Sequence, residues 1–85
     1  MKKARLLVVD DEENIRFLFK EELEEEGYSV DVASNGLEAL DKIKQAVFDL
    51  VILDIKMPGM NGIEALNEIK NMNKNLPVIL CSAYG

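Results

Sequence analysis

Leu50-Val51-Ile52-Leu53 is an unbroken apolar run, β-branched in its middle, with Asp49 before it and Asp54 after it. A run this short, with no polar residue at alternate positions, fits a strand covered on both faces, as in a parallel sheet. Past Asp54 the chain continues into Ile55-Lys56-Met57-Pro58-Gly59, whose Pro-Gly pair marks a turn. Ligands of open α/β sheets sit outside the carboxyl ends of the strands. A lone acid at such a tip is costly to desolvate unless a cation meets it. Asp54 is therefore either a turn former or a functional carboxylate, and the rest of the chain weighs the two.

The flanking pattern alternates strands with helices. Arg5–Val9 is an apolar run that opens at once into Asp10-Asp11-Glu12-Glu13. From Ile15 the period becomes helical, with Ile15, Leu18, Phe19 and Leu23 on one stripe. The acids ahead of Ile15 suit the helix N-terminus as cap and against the dipole, and Gly27 supplies the stop. Ser29–Ala33 alternates, as an edge strand with one exposed face would. Asn35-Gly36-Leu37-Glu38 opens a second helix on Leu37, Leu40 and Ile43, and Asn61-Gly62-Ile63-Glu64 opens a third on Ile63, Leu66 and Ile69. The two hexapeptides beginning at Asn35 and Asn61 are nearly identical, but two copies with unlike surroundings indicate one capping solution used twice. Pro77 then starts a fourth strand, Val78–Cys81. The order β-α-β-α-β-α-β, with crossovers of helical length, demands a parallel sheet with right-handed connections and helices on both faces.

Composition narrows the function classes. A net charge of −6 argues against nucleic acid as a direct partner. The chain has no histidine, which excludes His-based catalysis and His metal ligation. Its one cysteine, Cys81, forbids an internal disulfide and reads as a small apolar residue in a reduced, cytoplasmic setting. No apolar stretch approaches membrane-spanning length, so no membrane partner is expected.

Asp10, Asp11 and Asp54 all fall at strand tips, and Ser82 follows the fourth strand. If the first and third strands are neighbours, three carboxylates share one small pocket. Their mutual repulsion calls for a divalent cation, and hard oxygen ligands suit Mg²⁺ or Mn²⁺. A carboxylate beside bound Mg²⁺ can attack a phosphoryl group and become an aspartyl phosphate, with the Ser82 hydroxyl as a donor to phosphoryl oxygens. The lesser alternative is that the acids are no more than a helix start.

Val8-Val9-Asp10-Asp11-Glu12, Asp49 through Gly62, and Val78 through Gly85 together resemble the receiver domain of two-component response regulators, the CheY-like family. Among these, the chain is most similar to sporulation-phosphorelay and enhancer-binding regulator receivers. The resemblance implies a flavodoxin-like fold with the first four strands in the order 2-1-3-4. It implies that Asp54 is the phosphoacceptor, that Asp10 and Asp11 hold Mg²⁺ with it, and that the backbone carbonyl of Lys56 is a further metal ligand. Ser82 would be the switch hydroxyl beside Ala83, and Pro58 and Gly59 would shape the acceptor loop. The implied partner is a histidine kinase or phosphotransfer protein, and the implied role is a signalling phosphoacceptor, not an enzyme.

In the family a fourth helix, a fifth strand carrying a lysine for the phosphoryl group, and a fifth helix follow the serine strand. The sequence ends at Gly85, so the expectation is a partial receiver domain over residues 1–85, C-terminally truncated and impaired in signalling. An unpaired outer side on the fourth strand then predicts a homo-oligomer through that edge. The rival reading is a self-associating structural α/β fragment with a vestigial site. A flavodoxin-type phosphate loop is rejected, because four acids occupy its place after the first strand. A haloacid-dehalogenase-type phosphatase ranks low, since Lys56 stands where a second aspartate would be required.

Overall fold

Each run read as a strand is one. In a computed structural model, which describes residues 3–55 and 61–81, the strands are β1 (Arg5–Val9), β2 (Ser29–Ala33), β3 (Leu50–Asp54) and β4 (Val78–Cys81). The helices between them are α1 (Glu13–Glu25), α2 (Gly36–Gln45) and α3 (Gly62–Met72). All strand pairs are parallel and the sheet order is β2-β1-β3-β4. This is the CheY-like flavodoxin fold through its fourth strand. The chain moves outward from β1 to β2, then crosses back over β1 to β3 and on to β4. Right-handed crossovers put α1 on one face and α2 and α3 on the other. In agreement, α2 and α3 pack against each other, while α1 lies on β1 and β2.

β1 is buried from Leu6 to Val9 because both of its faces are covered. Leu7, Val9, Val51 and Leu53 point to the α2–α3 face and join Ala39, Phe48, Ala65 and Ile69 in one core. Leu6 and Val8, alternate to these, bury themselves on the opposite face.

The helices depart from the expected stripes in one consistent way. Leu37 is 66% exposed and Ile63 is 49% exposed, whereas Ala39 and Ala65 are fully buried. The Asn side chains at 35 and 61 do cap, accepting from the backbone N–H of Glu38 at 2.8 Å and of Glu64 at 2.9 Å. Each cap turns its helix so that Gly and Ala, not the large residue between them, meet the sheet; small side chains allow the close approach. In α1 no residue is fully buried, and Leu18 is half exposed, so its apolar stripe is only partly covered. The N-cap of α1, Glu12, makes no side-chain cap, contrary to the expectation for the acids there. Gly27 ends α1 as expected: at φ 99° it takes the left-handed conformation, with Gly27 N–H on the Glu24 carbonyl and Tyr28 N–H on that of Leu23. β2 is an edge strand, as its alternation predicted, and among the described residues β4 forms the other edge.

Candidate metal centre

The sheet reverses its winding between β1 and β3, and at such a switch point the flanking loops part to leave a crevice at the C-terminal ends. The register pairs Val9 with Leu53, so the next residue on each strand, Asp10 and Asp54, lies side by side at that crevice. Asp11 follows on the loop. Carboxylate oxygens from Asp10, Asp11 and Asp54 lie within 4.8 Å of one another. Asp10 is 5% exposed and Asp54 7%, while Asp11 faces solvent. The convergence anticipated from strand tips is therefore present in the fold.

Asp10 is held from several sides. Its backbone N–H donates to the Ala33 carbonyl at 3.1 Å, tying it to β2. Its Oδ1 accepts from the Glu12 N–H at 2.9 Å, and its own carbonyl accepts from Arg16 Nη1 at 2.8 Å. Burial raises the Asp10 pKa; the Glu12 N–H opposes that rise, and the nearby charges of Asp54, Asp11 and Glu12 add to it. Arg16, on the first turns of α1, thus ties that helix to the loop that carries the site. Nothing local signals this, because the contact spans a loop.

Cys81 lies opposite Asp54 in the β3–β4 register and is partly buried. Desolvation, then the Asp54 and Asp10 charges, push its thiol pKa up. Ile55, just past Asp54, is clamped twice: its N–H donates to the Cys81 carbonyl at 3.0 Å, and its carbonyl accepts from the Gly62 N–H at 2.8 Å. Lys56, Pro58, Gly59, Ser82 and Ala83, to which the resemblance gives roles, lie outside the described residues.

The arrangement suits a small hard cation. Three carboxylates at one point, two of them buried, repel one another, and a divalent ion with oxygen preference relieves that repulsion. The response regulator receiver domain family matches residues 6–85. The chain belongs to that family.

Receiver domains are signalling modules of two-component systems, and the matches are consistent along the whole chain. Sporulation initiation phosphotransferase F of Bacillus subtilis is 46% identical over 85 residues, covering 100% of this chain and 68% of that protein. The response regulator TrrA of Thermotoga maritima, solved in complex with Mg²⁺-BeF, is 56% identical with a TM-score of 0.91, covering 96% of this chain and 71% of that one. A second structure shows TrrA in complex with the histidine kinase ThkA; there the identity is 56% and the TM-score 0.90, over 96% of this chain and 71% of TrrA. Among the described residues no helix of this receiver is long and apolar enough to cross a membrane.

Proposed function

We propose that this receiver accepts a phosphoryl group on Asp54 from a phosphohistidine of a histidine kinase or phosphotransfer protein, in the cytoplasm and with Mg²⁺ or Mn²⁺ bound. The convergence of Asp10, Asp11 and Asp54 within 4.8 Å at the switch point of the sheet carries this reading. An Asp54 carboxylate oxygen attacks phosphorus; the new P–O bond forms as the P–N bond to imidazole breaks, and the leaving nitrogen takes up a proton. The bound cation would neutralise the acids and the phosphoryl oxygens. Asp10 and Asp11 would hold it with Asp54, the carbonyl of Lys56 would complete the protein ligands, and the Ser82 hydroxyl would meet the phosphoryl group. The chain would serve as the acceptor in transfer, with the donor enzyme supplying the activated phosphate.

The complex of TrrA with ThkA supports the choice of donor class, since TrrA is 56% identical to this chain. Incubating the chain with Mg²⁺ and acetyl phosphate, followed by intact-mass analysis, tests the chemistry. One added phosphoryl group in the wild type and none in Asp54→Asn is the expected outcome. Undiminished addition in Asp54→Asn would move the acceptor elsewhere.

A second reading rests on β4. Among the described residues that strand is an edge of the sheet, and Ile79 on it is 50% exposed. An open apolar edge is a template for another strand, and a second copy joining β4 to β4 in a two-fold dimer would cover it. In that case the chain is a self-associating structural unit and its acidic site is vestigial. Light scattering with chromatography at low micromolar concentration separates the two: a dimer that fails to bind Mn²⁺ favours this reading, and a Mn²⁺-binding monomer rejects it.

A further inference from the structure

Gly62 begins α3 and is buried against the end of β3. A Cβ built on it falls 2.5 Å from the Ile55 Cα, 2.6 Å from the Asp54 carbonyl oxygen and 3.1 Å from the Asp54 carbonyl carbon. All three neighbours are backbone atoms, so no flexible side chain can yield. The glycine is required here by close approach, not by a left-handed φ. Its N–H donates to the Ile55 carbonyl at 2.8 Å, so the start of α3 both touches and grips the two residues that end β3. On the other side Ile55 is fixed to Cys81, and Leu53 and Asp54 are in register with β4.

We infer that Gly62 is a positioning residue for the Asp54 carboxylate: its missing side chain lets the N-terminus of α3 seat the Asp54–Ile55 backbone at the height the metal centre needs. This rests on the reading of Asp10, Asp11 and Asp54 as ligands. A methyl group at position 62 must drive α3 and the Asp54–Ile55 peptide apart by several tenths of an ångström. Mg²⁺ demands ligand distances near 2.0–2.1 Å in an almost ideal octahedron, so a shift of that size at one ligand is felt directly. Displacing a group that orients a metal ligand typically weakens binding by roughly 10- to 100-fold.

The test measures Mn²⁺ affinity by paramagnetic broadening, together with urea denaturation and the metal-free amide shifts of Asp54 and Ile55. Gly62→Ala is compared with Asn67→Gly, which weakens the same helix at an exposed position without the wedge. At least tenfold weaker Mn²⁺ binding in Gly62→Ala, displaced Asp54 and Ile55 shifts, and near-normal binding in Asn67→Gly are expected. Equal binding in the two variants overturns the inference. A wild type that binds no Mn²⁺ at all overturns the metal reading instead. Should Gly62→Ala not fold, the matched caps supply the answer. Asn61→Ala and Asn35→Ala each remove one Asn cap of equivalent geometry, but only the first loosens the helix end that meets Asp54. Weaker Mn²⁺ binding confined to Asn61→Ala sustains the inference, and identical binding in the two sinks it.

Discussion

β1 and β3 run side by side, yet their two ends are built on opposite electrostatic principles. At the N-terminal end Arg5 gathers what is near it. Its guanidinium lies 3.0 Å from an Asp31 carboxylate oxygen and 5.1 Å from the centre of the Phe48 ring. Its backbone N–H donates to Asp49 Oδ2 at 2.7 Å, and the Asp49 N–H returns a 2.7 Å bond to its carbonyl. One cation thus ties together β1, the edge strand β2 and the loop entering β3. At the C-terminal end the same strands bring Asp10 and Asp54 together and add Asp11. One end joins opposite charges and secures the sheet. The other concentrates like charges, an arrangement that costs stability and that a bound cation would offset.

The sharpest way to break this comparison is to remove one exposed acid from each end. Asp11→Ala should lower Mn²⁺ affinity by roughly 10- to 100-fold, and Asp49→Ala should leave it unchanged. Paramagnetic broadening titrations on the two variants decide it. If Asp49→Ala weakens binding as much as Asp11→Ala, general negative charge is what attracts the ion, and the two ends do not differ in kind.

Arg5→Ala should be the most destabilising change at the lower end. It deletes a partly exposed ion pair, a cation–π contact and the packing of the stem, for a combined loss of about 2 kcal/mol. Urea denaturation at neutral pH measures it, and Mn²⁺ affinity should not move. At the upper end the sign reverses. Asp10→Asn keeps an oxygen for the Glu12 N–H but removes a buried charge facing Asp54, so metal-free stability should rise by about 1 kcal/mol. Metal affinity should fall in the same variant. A loss of metal-free stability in Asp10→Asn would mean that the site is not held against repulsion.

How much of this was legible beforehand follows the range of each interaction. β1, β2 and β4 occupy the spans their apolar runs mark, because strand signals are local. The stripes of α2 and α3 hold at Leu40, Ile43, Leu66 and Ile69 but fail at their first positions, where Ala39 and Ala65 are buried in place of Leu37 and Ile63. Hydrophobicity favours the larger residue, whereas close helix–sheet packing favours the smaller one. Asp10, Asp11 and Asp54 were recognisable as strand-tip acids, but their convergence needs β1 beside β3, which sequence order alone does not fix and the family resemblance supplied. The Arg5 cluster and the contact of Gly62 with Asp54 left no signal, since each depends on residues that meet only after the sheet has formed.

The smallest effect separates two carboxylates at the same upper end. Glu38 stands in the first turn of α2, just after β2, and its Oε1 accepts from the Ser34 N–H at 2.5 Å and the Ser34 hydroxyl at 2.9 Å. The backbone N–H, then the hydroxyl, hold its pKa below the ordinary 4.5, the reverse of the rise at Asp10. Between the lowered folded value and 4.5 the folded chain binds fewer protons at Glu38 than the unfolded chain does. The stability Glu38 contributes is therefore complete above 4.5 and is lost as pH falls through the folded value. Because the carboxylate faces solvent, Glu38→Gln should cost only about 0.5 kcal/mol at pH 7, the low end of capping energies. Urea melts from pH 7 downward should show the variant and wild type converging once Glu38 is protonated in both states. A gap that persists unchanged into acid would mean that Glu38 acts through its shape, and that charge at this end of the sheet matters only where the three aspartates meet.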